Sequence, residues 1–238
     1  MKIPSITEML QAGVHFGHQT SRWHPKMNQY IFTVRNNVHI INLEKTQEEL
    51  EKTLSAIRQM AAEGKNILFV TTKPQAREVV RQAALSCNSP YLIDRWLGGM
   101  LTNFQEIRKL IKSYVDLKEQ QRTGELEKYT KKEQLEIAKD LEKKDETLIG
   151  LVSLDRMPDA IFVPALQREK TSVTEANKMG VKVIGLADTN ANPLKADYII
   201  PANDDAMKSL TMMVNLVAEA IVEGRKEFEA KKAEPKQA

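Results

Sequence analysis

The stretch ILFVTTKPQAREVVRQAALSCNSPYLI, residues 67–93, decides the fold of this chain. Residues 67–71 are a short apolar run, typical of a strand that is buried on both faces. Residues 74–87 then place apolar side chains at helical spacing, and residues 90–93 predict a second strand. A strand, a helix and a strand in this order are the repeating unit of a parallel sheet.

The same alternation continues on both sides of this stretch. Residues 44–63 predict an amphipathic helix, which Gly64 ends. Further strands are predicted at 159–163, 181–187 and 197–200, with helices at 168–179 and 204–224. The expected fold class is therefore α/β, a doubly wound parallel sheet with helices on both faces.

Residues 104–148 interrupt this alternation. More than half of residues 116–146 are charged, with both signs mixed, and apolar residues recur every three or four positions on either side of Thr123-Gly124. This pattern predicts an antiparallel helical hairpin that projects into solvent. The alternative is a long solvated loop with some helix.

The first 43 residues differ in composition from the rest. Residues 1–40 contain all four histidines and four cations against the single acid Glu8; these residues are His15, His18, His24, His39, Lys2, Arg22, Lys26 and Arg35. Glycines and a proline predict irregular backbone over 13–28. Two β runs, 30–34 and 38–43, flank Asn36-Asn37, which tolerates positive φ and predicts a β-hairpin.

Bulk composition limits the class of protein. Apolar residues are 42% and aromatic residues 5% of the 238, so the core must be large and mostly aliphatic. The net charge of +3 is mildly basic and decides little. Cys87 is the one cysteine, so no disulfide within the chain and no cysteine-based metal site is expected. No apolar leader or membrane span is predicted, and we expect a cytoplasmic protein.

The signatures of nucleotide-binding enzymes are mostly missing. The turn after the first core strand, residues 71–74, has no glycine, which argues against a dinucleotide site. Lys73 at the following helix N-terminus leaves room for a single anion. Asp188-Thr189-Asn190 follows another strand, where α/β enzymes bind ligands, but this triplet also fits an Asx-type turn.

Other chemistry-bearing residues have ordinary structural explanations. His15 and His18 are two possible metal ligands, but zinc needs more, and hydrogen bonding is the commoner role. Asp204-Asp205 resembles a carboxylate pair, yet its place before a long helix favours capping. Cys87, late in an apolar helix, is expected to be a buried structural thiol. We expect no cofactor and no catalytic residue.

Two segments suit RNA because they combine cations, amides, hydroxyls and aromatic rings. The first runs over 19–26 and the second over 95–112, where Gly98-Gly99 permits close approach of another backbone. The candidate RNA-binding residues are Gln19, Thr20, Arg22, Trp23, Lys26, Arg35, Arg95, Trp96, Asn103, Arg108, Lys109 and Lys112. Alternatively, Trp96, Leu97 and Leu101 fill the core where the hairpin leaves the sheet.

At these residues the chain resembles the bacterial small-subunit ribosomal protein two family. Residues 12–19, AGVHFGHQ, resemble the family's opening motif, and residues 95–104, RWLGGMLTNF, its most distinctive one. Further matching motifs follow in the right order over nearly the whole chain: Thr130-Lys131-Lys132-Glu133, Met157-Pro158-Asp159-Ala160, Asp188-Thr189-Asn190 and Asn203-Asp204-Asp205-Ala206.

The resemblance implies a flavodoxin-like fold, with five parallel strands in the order 2-1-3-4-5 and a coiled-coil hairpin inserted after the second. It implies a structural, non-catalytic protein of the small ribosomal subunit. Its partners would be small-subunit ribosomal RNA and other small-subunit proteins, among them the large RNA-binding protein one. No membrane or small-molecule substrate is implied.

The sequence departs from the family pattern at a few positions. His24 stands where Asn is usual, residues 163–166 replace an Asp-Pro element, and Ala191 and Ala202 stand where Cys and Gly are common. The change at 163–166 puts a local contact there in doubt, but neither basic segment is altered.

The expected organisation has five parts. They are a basic extension with a β-hairpin (1–43), the first part of the α/β domain (44–103), the hairpin insertion (104–148), the second part of the α/β domain (149–224) and a charged tail (225–238). Two other functions stay open: a small-molecule enzyme with a ligand near Thr72, Lys73 and Asp188, and an adaptor acting through the hairpin without RNA.

Overall fold

The computed structural model describes residues 3–233, so Lys2 and residues 234–238 of the expected tail lie outside the described part. The chain begins with α1 (Ile6–Gln11), which Ser5 and Glu8 close in a capping box. A small antiparallel sheet follows. It consists of β1 (Phe16–Gln19), β2 (Ile31–Arg35) and β3 (Val38–Ile41) in the order β1-β3-β2.

Strands β2 and β3 are joined through Asn36 and Asn37, whose φ angles of 50° and 60° lie in the left-handed region. The prediction of irregular backbone over 13–28 was wrong for Phe16–Gln19. These residues pair with β3, a partner that a local sequence pattern does not reveal. Short 3₁₀ turns, Thr20–Arg22 and Pro25–Tyr30, fill the remainder of that stretch.

The main sheet has five parallel strands, which confirms the predicted α/β architecture. They are β4 (Ile67–Val70), β5 (Tyr91–Leu92), β6 (Ala160–Val163), β7 (Lys182–Ala187) and β8 (Tyr198–Pro201). Their order, β5-β4-β6-β7-β8, is the order 2-1-3-4-5 when only these strands are counted. Burial of nearly every strand residue explains the continuous apolar runs in the sequence.

Helices cover both faces of this sheet. On one face lie α2 (Leu43–Ala62), α3 (Pro74–Ser86) and α7 (Met207–Ala233), which share a core with Phe69, Phe162 and Ile184. On the other face, α6 (Lys170–Met179) and the bases of two long helices pack against Leu68, Ile161 and Val183. Alternate residues of each strand therefore serve two separate cores.

The two long helices are α4 (Phe104–Thr123) and α5 (Lys131–Leu148), separated by Gly124 at φ 80° and a 3₁₀ turn, Glu125–Lys128. Thr130 and Glu133 form a capping box at the start of α5. Near the sheet the helices are tied by Asp145, which accepts a hydrogen bond from Tyr114 and pairs with Lys118. Leu141 and Leu148 are buried at this base.

Helix α7 begins at Met207 and continues to Ala233, so most of the expected tail is helical. Within residues 3–233, none of the helices combines the length and the apolar character needed to cross a membrane. Cys87 is buried at the end of α3, as expected.

Candidate nucleic-acid interface

Two segments meet the carboxyl edge of the main sheet. We call residues 13–35 the N-terminal segment and residues 95–103 the signature loop. The N-terminal segment is fastened to the edge by Thr189, which accepts backbone hydrogen bonds from His18 and His24, both at 2.8 Å. The signature loop leaves the same edge directly after β5. Parallel strands thus present both segments at one end of the domain.

Gly17 makes the first of these contacts possible. A Cβ built at Gly17 would lie 2.5 Å from Cγ2 and 2.8 Å from Oγ1 of Thr189, and 3.0 Å from the carbonyl oxygen of His39. No larger residue fits without moving β1 away from the sheet. The glycine in this motif is therefore needed for packing.

Most candidate RNA-binding residues of the N-terminal segment are exposed. Gln19, Arg22, Lys26 and Arg35 lie on the surface, and Thr20 is partly buried. Trp23 is 40% exposed and packs its ring against His39, with centroids 5.3 Å apart. Met27, by contrast, is fully buried and anchors the segment in the core below.

The signature loop has an inner and an outer side. Trp96 is only 8% exposed and shares a core cluster with Met100 and Leu101, as the core-filling alternative requires. Its indole is therefore turned into the protein and does not offer a stacking face. Arg95 and Asn103 are exposed on the outer side.

Three further candidate residues lie on the first turns of α4. Arg108, Lys109 and Lys112 are exposed. Lys109 pairs with Glu106 at 2.7 Å. Among the residues that the structure describes, Arg108 and Lys112 have no carboxylate partner, and the same holds for Arg22, Lys26, Arg35 and Arg95. Exposed cations without carboxylate partners are what a polyanion requires.

A cluster of charged side chains fills the space beneath the N-terminal segment. Lys73 is 6% exposed, and its ammonium lies 2.9 Å from an Asp204 carboxylate oxygen and 2.6 Å from one of Asp205. His18 places Nδ1 3.1 Å from Asp188 and Nε2 3.4 Å from Asp205. Residues from four distant parts of the chain are joined here.

Burial sets the protonation behaviour of this cluster. Desolvation and the neighbouring charge of Asp188 raise the pKa of Asp204 to about 6, although Lys73 opposes them. The hydrogen bond to Asp188 raises the pKa of His18 above its ordinary value. Desolvation also acts on Asp205, but its pKa is lowered because Lys73 outweighs that effect.

The predicted capping role of Asp204-Asp205 was wrong. Asn203 instead orders the turn before α7: its side-chain oxygen accepts hydrogen bonds from the backbone of Asp205 and Ala206, and its carbonyl accepts one from the Ser209 hydroxyl. The two aspartates are instead drawn to Lys73, a residue 131 positions earlier in the chain. A rule based on local sequence could not include that attraction.

The possible metal pair His15 and His18 does not converge on one point. His15 packs against Phe16, and its Nδ1 is buried without a hydrogen-bond partner. His18 joins Asp188 and Asp204, and their ligand atoms lie within 4.8 Å of one another. One imidazole nitrogen and two carboxylate oxygens are donors that Zn²⁺ accepts, so His18 alone of the pair belongs to a possible cation site.

The anion site considered at Lys73 is closed by acidic groups. Lys73 is paired with two aspartates, and the backbone and hydroxyl of Thr72 both donate to Glu169. Asp188 points to His18 instead of open solvent. A phosphate would meet carboxylates here, which argues against the small-molecule hypothesis.

Sequence reasoning missed one residue altogether. Glu175, on α6, accepts hydrogen bonds from the indole of Trp96 at 2.9 Å and from the backbone of Gly99 and Leu101 at 3.0 and 3.1 Å. Its single weak signal was an acid on a helix otherwise flanked by basic and small residues. Nothing in the local pattern links it to a loop more than seventy positions away.

Comparison with known proteins identifies the family of this chain. Residues 9–224 match the model of a family described as "Ribosomal protein S2". The chain is also 45% identical over 234 residues to a protein of Salinibacter ruber named "Small ribosomal subunit protein uS2". That alignment covers 98% of this chain and 73% of the relative.

Proposed function

This chain belongs to the ribosomal protein S2 family and is a structural constituent of the small ribosomal subunit, not an enzyme, and we propose that its N-terminal segment and signature loop are its contacts with ribosomal RNA. One observation carries the proposal. Exposed cations lie on these two segments and on the adjoining turn of α4, and among residues 3–233 they have no carboxylate partner. They are Arg22, Lys26, Arg35, Arg95, Arg108 and Lys112.

Different members of this surface would have different roles. Arginine and lysine neutralise phosphates, while Gln19, Thr20 and Asn103 would bond to phosphate or to 2′-hydroxyl groups. Trp23 has an exposed part that would stack on a base or ribose. Lys109 would have to leave Glu106 to reach a phosphate. Trp96 would act from inside, by holding the loop, and not by touching RNA.

Residues 104–148 would form a coiled-coil arm that reaches neighbouring components of the subunit. Its support is the packing of α4 on α5 and the mixed surface charge. The five-part division of the chain, with 1–43 as a separate basic extension, belongs to the same proposal. The extension contains α1 and β1 as well as the β2–β3 hairpin.

Docking of the large RNA-binding protein one would require an apolar protein-binding surface. Ile6, Leu10 and Phe32 supply one, because they are 39%, 50% and 72% exposed around a shared groove. Exposed apolar side chains that cluster in this way mark protein contacts more often than isolated ones do. Phe32 belongs to the N-terminal segment itself, so one extension would serve both RNA and protein.

The RNA contact is tested by the salt dependence of binding to small-subunit ribosomal RNA. Each phosphate contact contributes roughly 0.7 to 0.9 to the slope of log affinity against log salt concentration. The double variant Arg22→Ala, Lys26→Ala should therefore lower the slope by roughly 1.4 to 1.8. The matched control is Lys226→Ala, Lys231→Ala on α7, which removes the same charge from a different part of the molecule and should leave the slope unchanged. Equal slopes for both double variants would remove the N-terminal segment from the RNA contact.

A further inference from the structure

Glu175 makes an unusual set of contacts for one carboxylate. Besides Trp96, Gly99 and Leu101, it accepts hydrogen bonds from the backbone and the hydroxyl of Thr102, at 3.3 and 3.2 Å. Both oxygens are used, one for Trp96 and Gly99 and the other for Leu101 and Thr102. Five donors from one loop converge on a single side chain of α6.

These bonds fix which side of the signature loop faces outward. Gly99 has φ 85°, and its carbonyl accepts from the backbone of Asn103 at 2.7 Å, so the chain turns tightly around Glu175. Trp96, Met100 and Leu101 point inward as a result, while Arg95 stays exposed. A Cβ at Gly98 would meet nothing within 4 Å, so that part of the outer side is open.

We propose that Glu175 is a positioning residue that holds the signature loop in the shape in which it binds ribosomal RNA. This inference rests on the proposed RNA contact at Arg95 and Asn103. The backbone N–H groups of Gly99, Leu101 and Thr102 are used by Glu175, so they are not a phosphate-binding nest. RNA would instead be contacted by the outward side chains that the carboxylate arranges.

Whether removal of Glu175 strengthens or weakens RNA binding distinguishes a positioning role from a simple effect of net charge. Removing an acid near a basic surface should strengthen RNA binding if only net charge matters. Removing a positioning residue should weaken it, because the loop must then be ordered during binding. A loop that adopts its bound shape about a tenth of the time binds about tenfold more weakly. The salt slope should not change, since the same phosphates are neutralised.

The test compares three variants of the full chain for affinity and salt slope with small-subunit ribosomal RNA. Glu175→Ala is expected to bind about tenfold more weakly with an unchanged slope. Arg95→Ala is expected to lower the slope by roughly 0.7 to 0.9. Glu51→Ala is the charge-matched control, because Glu51 is exposed on α2, which covers the opposite face of the sheet.

Each outcome bears on a different part of the inference. If Glu175→Ala binds as well as Glu51→Ala or better, while Arg95→Ala loses slope, the RNA contact stands and the positioning role is overturned. If Arg95→Ala retains both affinity and slope, the loop is not an RNA contact, and the proposed function and the positioning role fail together at this loop.

A second measurement, the titration of the Glu175 carboxyl, distinguishes a positioning role from simple misfolding of the variant. Burial acts to raise the pKa of the Glu175 carboxyl, but the bonds from Trp96, Gly99, Leu101 and Thr102 outweigh it and hold the pKa below the ordinary 4.5. None of these donors titrates near that pH. The loop contacts should be complete above pH 4.5 and be lost as the pH falls through the lowered value.

The indole N–H resonance of Trp96 reports this release directly. It should shift with pH in the wild type and not in Glu175→Gln, which keeps the size of the side chain but cannot ionise. Glu175→Gln should also weaken RNA binding, because its amide would face the N–H groups of Leu101 and Thr102. An indole resonance with the same acid titration in both proteins would overturn the inference.

Discussion

Lys73 shows how a single buried charge can organise this molecule. The residue is 6% exposed, and its ammonium binds two aspartates just before α7, while its own position is fixed by the end of β4. A buried ion pair contributes little net stability when both partners are present. Removal of one partner is costly, because the remaining charge is left without compensation.

We therefore expect Lys73→Met to lower the free energy of unfolding by roughly 3 to 5 kcal/mol, the range measured for broken buried pairs. Urea unfolding measures this quantity directly. Lys65→Met is the control, since Lys65 and Glu63 form an exposed pair whose loss should leave stability nearly unchanged. A stability of Lys73→Met close to that of the control would mean that Asp204 already carries a proton in the folded protein.

At the scale of elements, the docking of β1 on the main sheet depends on Gly17, because a residue with a side chain would not fit there. The sequence indicated glycine at this position as a mark of irregular backbone, whereas it permits contact with Thr189. The motif's residues were recognisable in the sequence, but the reason for the glycine lay in Thr189, which follows β7 and is distant in the chain. Contacts of that range are set by topology and leave no periodic pattern.

Gly17→Ala should lower stability by about 1 to 3 kcal/mol, the usual cost of overpacking. It should also raise hydrogen exchange selectively at His18 and His24, whose N–H groups bond to Thr189. Gly98→Ala provides the matched comparison, because a Cβ there meets no atom within 4 Å. Loss of protection throughout the main sheet, instead of at the N-terminal segment, would contradict a local docking role.

For the whole molecule, the sequence predicted the helices and strands wherever buried residues recur at regular spacing. The five strands of the main sheet and the helices around them were predicted from apolar spacing, with ends shifted by a few residues, as at α7. Contacts that bring side chains from distant parts of the chain together were not predictable from the sequence. Lys73 with Asp204, and Glu175 with Trp96, join residues whose separation is fixed only once the layers have packed. For Trp96 the sequence left RNA contact and core filling as alternatives, and its burial in the assembled core decided between them.

The two long helices, α4 and α5, are buried at one end and exposed at the other, so the two parts can be removed separately. Its base is part of the core, because Ile111, Tyr114, Leu141 and Leu148 share a cluster with the sheet. Its outer part, residues 120–139, is mostly exposed. Replacing 120–139 by a short Gly/Ser loop should therefore change stability little, whereas removing 104–148 should expose the apolar face beneath and destabilise the domain by several kcal/mol.

Thermal unfolding of the two truncated proteins, followed by circular dichroism, distinguishes these effects. The shorter deletion should melt within a few degrees of the full chain, since a change of about 1 kcal/mol moves the midpoint only roughly 2 to 4 °C in a protein of this size. It should also keep its salt-dependent RNA binding, because the N-terminal segment and the signature loop are intact. Loss of RNA binding with an unchanged melting temperature would move the main contact to residues 120–139, and the two basic segments would then be secondary.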